Sequence, residues 1–159
     1  MDEILEILEQ NSRLSHEDIA IMAGKTIDEV DEALARYEEE KVIVGYTTLI
    51  NWENTDREFV TALIEVKVTP QRGEGFDKIA ERIYKFPEVT GCYLMSGGFD
   101  LTVNVEGKNI KEVALFVAEK LAILDGVQSC ATHFVLKKYK DKKTIFEVNE
   151  TDDREAIFI

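Results

Sequence analysis

Cysteine, proline, tryptophan and histidine are scarce in this chain, with two, two, one and two residues among 159. The two cysteines, Cys92 and Cys130, are too few for a disulfide framework and form no CxxC pair, so reduced thiols in a cytoplasmic protein are expected. The histidines, His16 and His133, have no second His or Cys at ligand spacing, so no metal site is expected. Thr132 and His133 are successive in a strand and point to opposite faces, which excludes a nucleophile pair of Cys130 with His133. No paired acid and base stands out, so neither catalysis nor a cofactor is expected. Long apolar runs are also missing. The longest, residues 113–118, has six members, far short of the roughly 18 needed to cross a bilayer. The acidic start Met1-Asp2-Glu3 does not read as a signal or transit peptide. Finally, basic charge is in deficit: 19 Lys and Arg stand against 32 Asp and Glu, a net of −13 with a pI near 4.6. A uniformly acidic surface would repel nucleic acid.

The deficit is not uniform. Residues 1–58 carry 5 basic and 16 acidic side chains, residues 59–140 carry 11 and 10, and residues 141–159 carry 3 and 6. The charge therefore divides the chain into modules with different partners.

The first module (1–49) reads as three helices. Ile4, Leu5, Ile7 and Leu8 share a face over 2–11. Ser15 is a candidate N-cap for a second helix with Ile19, Ala20 and Ala23 inward, and Gly24 suits its end. Thr26 caps a third helix that buries Ile27, Val30, Leu34 and Tyr37. Residues 42–49 are β-branched around Gly45, which predicts a two-stranded hairpin or wing. Together these describe a winged helix-turn-helix or, on pattern alone, a plain three-helix packing unit. Residues 50–58 are a polar linker, and Trp52 and Phe59 near it suggest packing between modules.

The second module (59–140) is β-α-β-β-α-β. Val60, Ala62, Ile64, Val66 and Val68 alternate as a strand that Pro70 and Gly73 end. Phe76, Ile79, Ala80, Ile83 and Tyr84 have helical spacing. Strands over 89–96 and around Leu101, Val103 and Val105 follow. Ile110, Val113, Ala114, Val117 and Leu121 mark another helix, and residues 127–139 contain a last long strand. This order predicts an α+β, ferredoxin-like sheet with helices on one face. Phe59, Thr61 and Leu63 lie on the opposite face, which is either wet or a subunit contact. Residues 141–159 form a tail, with a strand over 144–148, a polar stretch over 149–155 and an apolar end.

Ser96-Gly97-Gly98-Phe99-Asp100 is the segment most suggestive of chemistry. It reads as an ordinary hairpin, or as a pocket in which backbone N–H groups take a carboxylate and Asp100 takes an ammonium, the two ends of an amino acid. Gly73-Glu74-Gly75 lacks the third glycine of a phosphate loop, with Lys78 in its place, and reads as a turn.

Arg13-Leu14-Ser15, Asp18-Ile19-Ala20, Gly24, Val30, Arg36, Glu38, Val42-Ile43 and Gly45-Tyr46 resemble the helix-turn-helix pattern of the Lrp/AsnC (feast/famine) transcriptional regulators. The resemblance extends over residues 2–140 and implies that the second module is that family's effector-sensing (RAM) domain. It implies an effector site between dimers made by Gly97, Gly98, Phe99 and Asp100 with Cys130 and Thr132, Cys130 replacing the first residue of a Thr-x-Thr pattern. It further implies a small amino acid or related effector, a homodimer that assembles into a tetramer or octamer, and DNA contacts from Lys25, Thr26, Arg36 and Lys41. The third helix departs from the family. Its exposed face carries Asp28, Glu29, Asp31 and Glu32, with Ala33 and Ala35 where the family has cations. Weak DNA affinity is therefore expected, and a sensing or protein-interaction member that no longer binds DNA is the alternative.

Overall fold

The computed structural model describes residues 2–69 and 75–146. The chain divides into two compact units, Met1–Ile50 and Asn51–Ile159.

In the first unit, α1 (Glu3–Gln10), α2 (His16–Ala23) and α3 (Ile27–Glu39) each start on a side chain that satisfies backbone donors. Asp2 accepts from Ile4 N–H, and Ser15 accepts from Asp18 N–H at 3.1 Å. Thr26 and Glu29 form a reciprocal capping box. Gly24, at φ 62°, ends α2 in the left-handed region and leaves a three-residue turn before α3. Ile4, Ile19, Ala20, Ala23, Val30, Ala33, Leu34 and Tyr37 are buried together. Ala33 therefore does not lie on the exposed face of α3 where the sequence suggested it; the i+3 step from Val30 turns it into the core. The Tyr37 hydroxyl reaches back to Asp2, tying α3 to the start of α1.

The wing expected over 42–49 is absent: these described residues run without strand pairing. Gly45 does not take a positive φ, so the primed turn a tight hairpin needs is missing there. Ile43 N–H instead closes onto Tyr37 C=O at 3.0 Å. Lys41 follows α3 at φ 58°, a conformation that costs a side-chain-bearing residue about 1 kcal/mol and glycine almost nothing. Lys41→Gly is expected to raise the unfolding midpoint of this unit by a few degrees, read by circular dichroism. A lower midpoint would show that the lysine earns its place structurally.

The second unit opens with a 3-10 turn, Trp52–Asn54, within the segment expected to be a polar linker. Phe59 lies outside the first strand. Its ring packs 6.2 Å from Trp52, and the Arg57 guanidinium lies over both rings at 4.4 and 5.3 Å.

The elements are β1 (Val60–Val68), α4 (Asp77–Tyr84), β2 (Val89–Leu94), β3 (Leu101–Gly107), α5 (Ile110–Phe116) and β4 (Val127–Phe134), in a fully antiparallel sheet of order β2-β3-β1-β4. Ala62, Ile64, Val66, Val68, Leu101, Val103 and Val105 line one face, against Ile79, Ile83, Val113, Phe116 and Leu121 of the helical layer. A π-helical turn, Val117–Leu121, continues α5. Its wider coil brings Phe116 and Leu121, five residues apart, to the same core, which a regular α-helix would not do. The uncovered face carries Thr61, Leu63, Glu65 and Lys67 of β1, with His133 opposite Leu63 and 3.6 Å from Glu65. It is thus more polar than Phe59, Thr61 and Leu63 alone suggested.

Within 127–139, the last strand occupies Val127–Phe134. After one further bond, Val135 N–H to Thr61 C=O, the chain leaves the sheet and forms a separate two-stranded hairpin, β5 (Lys140–Asp141) with β6 (Thr144–Ile145). The expectations for Pro70 and Gly73, for Gly73-Glu74-Gly75 up to Glu74, and for the tail beyond 146 lie outside the described residues.

Candidate effector site and nucleic-acid interface

Residues 95–100 connect β2 to β3. Met95 N–H donates to Asp100 C=O at 2.8 Å and closes this six-residue loop. Gly97 takes φ 136°, which only glycine adopts without strain; Gly98 does not use a positive φ. Asp100 fastens the loop to the neighbouring strand. Its N–H donates to Val66 C=O at 3.1 Å, and its Oδ2 accepts from Val68 N–H at 2.8 Å. The carboxylate therefore completes the end of β1, a role no local pattern announced.

Cys130 and Thr132 sit on β4 opposite Val66 and Ile64. β1 thus lies between them and the loop. Asp100 and Cys130 flank the same β1 residue from two sides, about 10 Å apart by the spacing of three adjacent strands. The two β4 side chains belong to the helix-covered face. Cys130 is half-buried against the core, and that burial pushes its thiol up from the ordinary value. Thr132, two residues further on and opposite Ile64, is half-buried on the same face. Loop and strand are held in one rigid sheet, but within this chain they do not close on each other.

The residues expected to meet DNA are all exposed. Thr26 is committed to its cap: its hydroxyl donates to Glu29 Oε2 at 2.9 Å and its N–H donates to the same oxygen at 2.8 Å. Those two bonds hold the Glu29 carboxyl below the usual range, so the capping box contributes stability above the ordinary carboxylate pKa and loses it as pH falls through the lowered one. Thr26→Ala is expected to cost about 1 kcal/mol and to reduce the steepness of acid unfolding; an unchanged acid profile would contradict this. Lys25 and Arg36 share a cleft of about 240 Å³ with Asp2, Glu29 and Glu32. Asp28, Asp31, Glu32, Ala35 and Glu39 form the outward stripe of α3. His16 Nδ1 of α2 meets Asp31 Oδ1 at 2.5 Å, and the Tyr46 hydroxyl donates to Glu38 at 3.0 Å. Among the described residues, no group of three or more His, Cys, Asp or Glu side chains is arranged to hold a metal, and no helix is long and apolar enough to cross a membrane.

A family model described as the Lrp/AsnC ligand binding domain matches residues 61–145. The chain is 52% identical over 153 residues, 96% of its own length and 92% of the relative's, to an uncharacterised HTH-type transcriptional regulator of Bacillus subtilis, YugG. It is 26% identical to the leucine-responsive regulatory protein of Haemophilus influenzae, covering 86% of this chain and 82% of that one. Its fold is similar to that of a transcriptional regulator of Neisseria meningitidis solved as an L-Met complex, with TM-score 0.71, 24% identity, and 87% and 89% of the two chains covered. The leucine response regulatory protein of Mycobacterium tuberculosis matches with TM-score 0.75 at 18% identity, covering 90% and 94%. With its ligand-binding region matched across the second unit and a relative sharing half its residues along nearly the whole chain, the protein belongs to the Lrp/AsnC family of transcriptional regulators and is not an enzyme.

Proposed function

We propose that this protein is a cytoplasmic regulator in which a small amino acid or related metabolite, bound at the ferredoxin-like second unit, governs how a homodimer assembles into tetramers or octamers. The observation that carries this reading is the loop over 95–100. It combines a positive-φ Gly97, backbone donors and a carboxylate in a segment pinned to β1, the donor and acceptor set that an amino acid requires. The Neisseria relative was solved with L-Met, a ligand of the same class. Because the loop and Thr132 do not close on each other within one chain, a neighbouring dimer completes the site. Effector binding then favours one assembly over another by its differential affinity. Calorimetry against the common amino acids tests this: heat of binding from at least one is expected, and none from a folded oligomer would refute it.

The first unit, on this reading, is a helix-turn-helix with α3 as recognition helix, flanked by an extended segment in place of a paired wing. The acidic stripe on α3 makes its intrinsic DNA affinity weak, because carboxylates release no counterions from phosphate. Weak binding to random duplex is expected at about 150 mM salt; submicromolar binding in a mobility-shift titration there would overturn that expectation. The same stripe supports a second reading, in which the protein senses its effector but acts through another protein.

A further inference from the structure

Five of the 19 basic side chains fall within residues 137–143, Lys137-Lys138-Tyr139-Lys140-Asp141-Lys142-Lys143. Lys140, Lys142 and Lys143 are carried by the β5–β6 hairpin, and Lys137 and Lys138 by the segment that leads into it, all outside the four-stranded sheet. Lys140 pairs in register with Ile145 and Asp141 with Thr144, leaving Lys142 and Lys143 as the two-residue tip. Phe146 N–H donates to Tyr139 C=O at 3.0 Å and extends the ladder. Below the tip, Lys138 pairs with Asp141 at 3.3 Å and lies over the Phe146 ring, so the base is stiffened by its own side chains. Lys137, Lys140, Lys142, Lys143 and Tyr139 are exposed.

The tip is built against local preference. Lys142 and Lys143 have φ of 42° and 70°, the positive pair of a type I′ turn, which Asn-Gly makes most readily. Two lysines therefore occupy positions that uncharged residues would fill with less strain, at the most projecting point of the hairpin. Strain of this kind marks places where the side chain rather than the backbone is being used.

We propose that this hairpin grips the phosphate backbone of duplex DNA, so that contacts from the second unit compensate for the acidic face of α3. The proposal rests on the regulator reading above. Several cations on a short stiff ribbon suit a repeating anion rather than a single carboxylate, and DNA gains free energy by releasing counterions to each of them. A second copy's α3 face is a poorer partner: it offers four outward carboxylates, Asp28, Asp31, Glu32 and Glu39, of which Asp31 already meets His16, whereas a duplex presents an unbroken run of phosphates.

The test uses the full chain and a labelled random-sequence duplex, titrated by fluorescence anisotropy between about 50 and 200 mM salt. The Lys142→Asn/Lys143→Gly double variant is expected to weaken binding at least about threefold and to lower the log–log salt slope by up to about 2. Its thermal midpoint is expected to hold or rise, because Asn-Gly is the better turn. Lys137→Gln/Lys140→Gln is expected to weaken binding in the same way without touching the turn. Unchanged affinity and slope in both variants, with wild type still binding, would overturn the hairpin's role and leave the regulator reading standing. Weaker binding that appears only with a lowered midpoint would assign the lysines to folding and also overturn it. A changed oligomer distribution in sedimentation with unaltered DNA binding would place a second copy at the hairpin instead. Wild type that fails to bind even at about 50 mM salt would remove the DNA reading itself, and the proposal with it.

Discussion

Replacing both Asp28 and Glu32 with arginine is expected to raise affinity for duplex DNA by roughly ten- to a hundredfold at about 100 mM salt. The two positions are one helical turn apart on the outward stripe of α3. Neither is used by the capping box or by His16, so the exchange leaves the frame of the unit intact. Each substitution removes a carboxylate that repels phosphate and adds a guanidinium that pairs with it. The salt slope is expected to steepen by about 0.9 for each contact formed. Asp28 lies in the first turn, where the helix dipole favours an anion, so arginine there costs up to about 1 kcal/mol of stability. That cost does not decide the binding result. Ala33→Arg serves as the contrasting variant. Ala33 is buried, so forcing a long charged side chain there is expected to destabilise the unit by at least 1–3 kcal/mol, roughly the cost of overpacking alone. If the paired variant folds and its affinity does not rise, α3 is not the helix that meets DNA.

The parts of the fold legible in the sequence are those written in local periodicity. Alternation over Val60, Ala62, Ile64, Val66 and Val68 announced β1 because one face alone is covered, and the i, i+3, i+4 spacing of Ile79, Ala80 and Ile83 announced α4 for the matching reason. Ser15 and Thr26 were readable as caps because their partners lie three residues away. What was hidden depends on residues distant in sequence or on totals that average local detail. β-branched composition over 42–49 says extended, but pairing requires a turn that Gly45 does not make. The exposed side of α3 was readable only to within a residue, so Ala33 was placed on the wrong side. Asp100 finds its backbone donor 32 residues away. The basic hairpin straddles the boundary between the near-neutral module and the acidic tail at positions 140 and 141, so the net charge of neither segment reveals its lysines.

On the proposed function, Asp100 is the position where fold and recognition compete for one carboxylate, and two substitutions separate them. Asp100→Ala removes the acceptor of Val68 N–H, leaving a half-buried donor unmet, and is expected to cost about 1–3 kcal/mol. Asp100→Asn keeps an oxygen for that N–H and removes only the charge, so its stability is expected to stay within about 1 kcal/mol of wild type. An ammonium group distinguishes the two carboxyl derivatives strongly, since hydrogen bonds to charged groups contribute about 1.5–3 kcal/mol. In calorimetry with whichever amino acid binds wild type, Asp100→Asn is therefore expected to lose roughly ten- to a hundredfold in affinity while its unfolding midpoint is preserved. The opposite pattern, wild-type affinity in a fully folded Asp100→Asn, would confine Asp100 to closing the end of β1. The ammonium would then have to be held elsewhere, by backbone carbonyls of the 95–100 loop or by the neighbouring dimer.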